Sequence, residues 1–115
     1  MQAVIMAGGK GTRLASVTKD IPKPMVQIDG KPLLQYQIEN LRDNGVLNII
    51  LIIGHLGYVI REYFGDGSKF GVKISYFEEE SPLGTAGALS EIKSKLEDDF
   101  FLVFGDLFLN VNFKR

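Results

Sequence analysis

Gly8, Gly9, Gly11, Thr12, Arg13 and Lys23 concentrate bare backbone, a hydroxyl and two cations in one stretch just after a short apolar run. Glycines accept positive φ and let successive amide N–H groups face an anion with no Cβ in the way. Thr12 can donate its hydroxyl. Arg13 offers a planar fork matched to two phosphate oxygens, and Lys23 adds a point charge from a segment held extended by Pro22 and Pro24. A polyphosphate is the ligand whose charge calls for this density of donors. The plainer alternative is a strand-to-helix turn that happens to carry surface cations.

Two phosphate-binding templates fail here. No lysine sits in the G-x-x-x-x-G-K-[ST] spacing of a Walker A loop. The dinucleotide pattern G-x-G-x-x-G can begin at Gly9-Lys10-Gly11, but Leu14 replaces its third glycine. Asp29, the acidic residue at the right distance, precedes the first helix instead of ending a second strand.

Composition narrows the chemistry. With 13 basic and 14 acidic residues the formal charge is −1, so no global field exists to hold a nucleic acid, and an anion site must be local. The absence of cysteine removes thiolate nucleophiles and Cys-based zinc sites, and the single His55 cannot build a His-rich one. Glycine is in excess, 13 residues against about 8 from its usual share. The apolar run at the N-terminus lacks the basic flank and length of a signal peptide, and no run approaches a membrane span. A cytoplasmic chain with no membrane partner is the expectation.

The elements that must position the loop follow from hydrophobic periodicity. Ala3–Ala7 is a continuous apolar run, and with Asn48–Ile53 and Phe100–Phe104 it reads as a strand buried on both faces. Val72–Phe77 alternates and predicts a partly covered strand. Leu34, Ile38 and Leu41 form a helical stripe that opens near Pro32 and stops at Gly45. Further helices are predicted over about Tyr58–Phe64 and Thr85–Leu96, with Gly65–Ser68 as a turn. The order β-α-β-α-β-α-β implies right-handed crossovers and an α/β, Rossmann-like, mostly parallel sheet with helices on both faces, in one domain over residues 1–115. The polar breaks after each strand then share the carboxyl rim of the sheet, where such folds bind ligands.

Four segments together carry a resemblance. AGGKGTRL (7–14), IPKPM (21–25), SPLGTAGAL (81–89) and FGD (104–106) occur in the order and spacing of the sugar-1-phosphate nucleotidyltransferases, or nucleotide-sugar pyrophosphorylases. The chain resembles the N-terminal, nucleotide-binding half of that family. The resemblance implies transfer of a nucleoside monophosphate from a nucleoside triphosphate to a sugar 1-phosphate, with release of pyrophosphate. It implies that Ala7, Gly8 and Gly9 hold base and ribose, that Gly11, Thr12 and Arg13 clamp the phosphates, and that Arg13 and Lys23 stabilise charge at the reacting phosphorus. Glu79 falls where relatives keep a polar residue beside the base, Gly84 where the backbone nears the nucleoside, and Asp106 where a carboxylate holds Mg²⁺. On residue type alone, Glu78–Glu80 is a solvated loop, Gly84 and Gly87 serve helix entry and packing, and Asp106 caps a turn. His55 is read as a loop residue between Gly54 and Gly57, and Tyr58, Tyr63 and Phe64 as core and rim aromatics.

The run 78–87 is most similar to guanylyltransferases of mannose or heptose 1-phosphate. Thymidylyl, uridylyl and cytidylyl transfer, and a non-catalytic nucleotide- or sugar-phosphate-sensing subunit, are the alternatives. A flavodoxin-like signalling domain would need acidic residues after the first strand, where cations stand. The family's sugar pocket, second lysine and second metal carboxylate are expected beyond residue 115. The sheet left uncovered by that portion is expected to favour homo-oligomers.

Overall fold

Ala3, Val4 and Ile5 are at most 1% exposed, so the strand that carries them is covered on both faces and flanked on both edges. The computed structural model describes residues 1–7, 23–54, 56–79, 84–104 and 107–112. The elements run β1 (Gln2–Met6), a hairpin of β2 (Gln27–Ile28) and β3 (Lys31–Pro32), α1 (Leu33–Asp43), β4 (Asn48–Ile53), α2 (Gly57–Phe64), β5 (Lys73–Glu78), α3 (Gly84–Glu91), β6 (Asp99–Phe104) and β7 (Leu107–Asn112). The main sheet has the order β5-β4-β1-β6-β7. The first four strands are parallel, and β7 pairs antiparallel with β6.

Alternate residues of each central strand feed two separate layers. Ala3, Ile5 and Ala7 join Ile49, Leu51 and Ile53 beneath Leu34, Ile38 and Leu41 of α1 and Ile60 and Phe64 of α2. Val4, Ile50, Ile52, Phe100 and Leu102 form the opposite layer with Ala88 and Ile92 at α3. Each fully buried Ile, Leu or Phe contributes about 1.5–3 kcal/mol of transfer free energy, so the expected apolar stripes are what hold the helices on. The mostly parallel sheet with helices on both faces is therefore present.

Helix α1 stops as its sequence foretells. Gly45 has φ +85°, its N–H donates to the Arg42 carbonyl, and the Val46 N–H reaches the Leu41 carbonyl. These two bonds make a Schellman cap, and the apolar contact that accompanies such caps comes from Val46 and Leu41, both in the core. Pro32 is the residue flanking the helix, extended at φ −59° and ψ 143°, so the first helical residue is Leu33.

Three features differ from the sequence expectation. The hairpin β2–β3 was not foreseen; Asp29 (φ 55°) and Gly30 (φ 81°) supply its left-handed turn, and Tyr36 Oη donates to the Ile28 carbonyl at 2.6 Å. Strand β7 adds a fifth strand. Helix α3 ends at Glu91 rather than Leu96 and gives way to a single 3-10 turn at Lys93–Lys95. The cause is long-range: the buried Gln2 side chain donates Nε2 to the Lys95 carbonyl at 2.9 Å, and its Oε1 accepts from the Glu97 N–H at 2.9 Å. Those backbone groups would otherwise bond along a continuing helix.

Gly67 has φ +87°, and an added Cβ would lie 2.7 Å from Ile74 Cγ1 and 2.8 Å from the Val72 carbonyl. Gly30 has φ +81° with open space around it. Both substitutions to alanine meet the backbone penalty, about 1 kcal/mol, and only Gly67→Ala adds about 1–3 kcal/mol of overpacking. Urea denaturation should therefore rank Gly67→Ala clearly below Gly30→Ala; equal losses would contradict the packing at Gly67. Replacing Gln2 with leucine should cost about 1–3 kcal/mol in the same measurement, because the Lys95 and Glu97 backbone groups lose their partner.

Candidate functional site

The strand order fixes where a ligand can sit. From β1 the chain moves outward to β4 and then β5, and afterwards returns to β6 on the other side of β1. Connections leaving β1 and β6 therefore diverge, and the crevice at their carboxyl ends is the binding position in open α/β sheets. Met6 lies directly opposite Phe104 in the ladder. Gly8 and Asp106 each follow that registered pair by two residues. The glycine–cation segment and the Asp106 segment of the sequence thus follow adjacent strands at the same end of the sheet.

Two residues expected at the base are anchored to one strand. The Ala7 N–H donates to the Ile52 carbonyl at 2.8 Å, and the Glu79 N–H donates to the Ile53 carbonyl at 2.8 Å. Ala7 is buried and Glu79 half-buried. They flank the end of β4 on opposite sides, two inter-strand spacings or about 10 Å apart. Glu78 is the last residue of β5 rather than part of a solvated loop. The end of that strand is tied to α2 by Arg61, which pairs with Glu78 Oε1 at 3.2 Å and lies 4.8 Å from the centroid of the Tyr76 ring. Tyr76 donates its hydroxyl to the Gly65 carbonyl at 2.7 Å, and burial pushes its pKa up. The Arg61–Glu78 pair is exposed and adds little stability, so it serves to orient rather than to hold.

Gly84 opens α3 with φ +74°, and among the described residues nothing stands within 4 Å of where a Cβ would be. Its glycine is thus called for by backbone conformation. Lys23 begins the 3-10 turn Lys23–Met25, whose Met25 is buried in the α1 layer. This anchors the backbone that carries the lysine. Gly8, Gly9, Gly11, Thr12, Arg13 and Asp106 lie outside the described residues, as does His55. Among the described residues no three His, Asp or Glu side chains cluster to hold a metal, and no helix is long and apolar enough to cross a membrane. Tyr58 and Tyr63 are exposed while Phe64 is core, in line with the rim and core roles expected of these aromatics.

Sequence reasoning passed over Leu56, a non-glycine residue with φ 60° at the start of α2. The signal available was the pair Gly54 and Gly57 around it, which was read only as a turn.

The chain was compared with known proteins. The model of the nucleotidyl transferase family matches residues 2–115. A D-glycero-alpha-D-manno-heptose 1-phosphate guanylyltransferase of Campylobacter jejuni is 42% identical over 115 residues, covering 100% of this chain and 52% of the relative. The UTP–glucose-1-phosphate uridylyltransferase AglF of Haloferax volcanii is 38% identical, covering 97% of this chain and 46% of the relative. The crystal structure of HddC from Yersinia pseudotuberculosis complexed with GMP-PN is 42% identical with a TM-score of 0.79, covering 91% of this chain and 47% of that one. The chain thus spans about half the length of these relatives. The sheet order, the glycine and cation segment leaving its central strand, and the match across nearly every residue agree: the chain belongs to the nucleotidyl transferase family.

Proposed function

We propose that this chain is the nucleotide-binding half of a sugar-1-phosphate nucleotidyltransferase that moves a nucleoside monophosphate from a nucleoside triphosphate to a sugar 1-phosphate. The observation that supports the reading is the Met6–Phe104 register, because the glycine–cation segment and Asp106 follow those two paired residues in the sequence. A phosphate oxygen of the sugar 1-phosphate attacks the α-phosphorus in line. The new P–O bond forms as the α–β bridging P–O bond breaks, and pyrophosphate leaves with the electron pair. The nucleophile is already an anion, so no proton has to be removed and no histidine or cysteine is called for. What remains for the protein is to bring two polyanions together and to balance the charge that moves onto the leaving group. Arg13 and Lys23 have the charge for that work. Ala7 and Glu79 bracket the place for the base, and Gly84 leaves its backbone accessible beside it.

Asp106 is an oxygen donor of the kind Mg²⁺ takes, and a bound magnesium ion would supply further charge neutralisation on the phosphates. Guanosine triphosphate with mannose or heptose 1-phosphate is the favoured substrate pair. Its support is the 42% identity to a heptose 1-phosphate guanylyltransferase, against 38% to a uridylyltransferase of the same family.

Pyrophosphate release by the full-length protein, measured across four nucleoside triphosphates and several sugar 1-phosphates, tests this reading. GTP with a mannose-type sugar phosphate should give the highest kcat/KM, and turnover should require added Mg²⁺. Arg13→Ala and Asp106→Ala should each lower kcat by about 10²–10³-fold, the scale seen when one electrostatic stabiliser is removed. Residues 1–115 alone should bind nucleotide with little turnover. Retention of activity by both variants would show the site to be elsewhere.

A further inference from the structure

Among the described residues only Asp29 and Leu56 are non-glycines with positive φ. Asp29 is explained by its Asp-Gly hairpin turn, which asks for that conformation. Leu56 (φ 60°, ψ 23°) is not, because leucine has no side-chain hydrogen bond to offer and its Cβ crowds the following carbonyl oxygen. Strain of this kind persists where the surroundings enforce it, and it gathers at working sites.

The surroundings are specific. β4 ends at Ile53, between Ala7 on one side and Glu79 on the other. A chain that continued along the strand direction would rise between those two residues. Instead the Gly57 N–H returns to the Gly54 carbonyl at 2.8 Å, and the Val59 N–H takes the Leu56 carbonyl at 3.0 Å. Gly57 is set so closely over Ile53 that a Cβ there would meet Ile53 Cβ and Cδ1 at 3.0 Å. Ile53 belongs to the layer beneath α1 and α2. The described part of the connection has therefore left the sheet plane toward the α1–α2 side at once.

We propose that Leu56 is a positioning residue for the nucleoside: its left-handed backbone folds the described part of the β4–α2 connection off the rim, so that among the described residues the span between Ala7 and Glu79 is left to a flat nucleobase. This rests on the reading given above and assigns part of its substrate affinity to a residue that touches no reacting atom. The left-handed backbone, not the leucine side chain, does the work. Triphosphate binding at β1 and β6 is a separate matter, so pyrophosphate recognition does not depend on Leu56.

The test uses the full-length protein in both reaction directions, with thermal melts recorded for every variant. Leu56→Ile introduces a β-branched residue that disfavours the left-handed region, and should raise KM for the nucleoside triphosphate about tenfold with kcat within about twofold. In the reverse direction its KM for pyrophosphate should stay at the parental value. Leu56→Gly, which adopts the conformation freely, should keep the parental KM although it deletes the whole side chain. If Leu56→Ile does not fold, Gly57→Ala supplies the same perturbation by pushing the turn off Ile53, with the same KM split expected. Equal rises in KM for nucleotide and pyrophosphate, or a KM for Leu56→Gly as high as for Leu56→Ile, would overturn the inference. A parent protein without turnover on any triphosphate would overturn the assigned reaction, and this inference with it.

Discussion

The structure depends on the burial of β1 between two parallel neighbours. Ala3, Val4 and Ile5 have no exposed face, and every backbone hydrogen bond of the strand is committed to β4 or β6. A strand in that position can meet polar ligands only at its ends. The parallel arrangement then sends β4, β5 and β6 to the same rim, so residues far apart in sequence converge without any contact of their own to bring them together. Ala7 and Glu79 illustrate this: each donates its N–H to one of two adjacent β4 carbonyls.

The two faces of the sheet also differ along the strands. In the α3-side layer, Gln2 and Asn48 stand in register with Lys73 at the amino end, whereas Met6 and Ile52 stand in register with Phe77 at the carboxyl end. The residues in register thus change from polar to apolar toward the carboxyl rim, where Met6, Phe77 and Phe104 are half-buried. For the proposed reaction, whose catalysis is mostly placement and charge balance, strand ends fixed in a parallel ladder give the segments that follow them a defined origin.

Much of this was legible in the sequence because the central strands are apolar at every position after their first residue and the helices carry single stripes. β1, β4 and β6, the α1 stripe and the Gly45 stop needed no tertiary information. Helix α3 was overextended because Leu89, Ile92 and Leu96 keep helical spacing while Gln2, far away in the chain, captures the backbone at Lys95 and Glu97. A local pattern cannot see such a partner. The β2–β3 hairpin carried its signal in Asp29-Gly30, but its strands are only two residues each. β7 opens on three apolar residues, Leu107–Leu109, and alternates only from there to Asn112, so it acquires its place by pairing with β6. Of the site, the sequence supplied the types of charge and the motif order, while Ala7, Glu79 and Gly84 took their positions from topology. Leu56 escaped notice because left-handed leucine has no compositional signature.

The central claim is that a nucleoside triphosphate lies across the carboxyl ends of β5, β4, β1 and β6. A crystal structure of the full-length protein with a non-hydrolysable guanosine triphosphate analogue tests it most directly. The account predicts the base over the end of β4 between Ala7 and Glu79, with the phosphates running toward the Met6–Phe104 pair. Electron density for the nucleotide at the amino ends of the strands, beside Gln2 and Lys73, would contradict it.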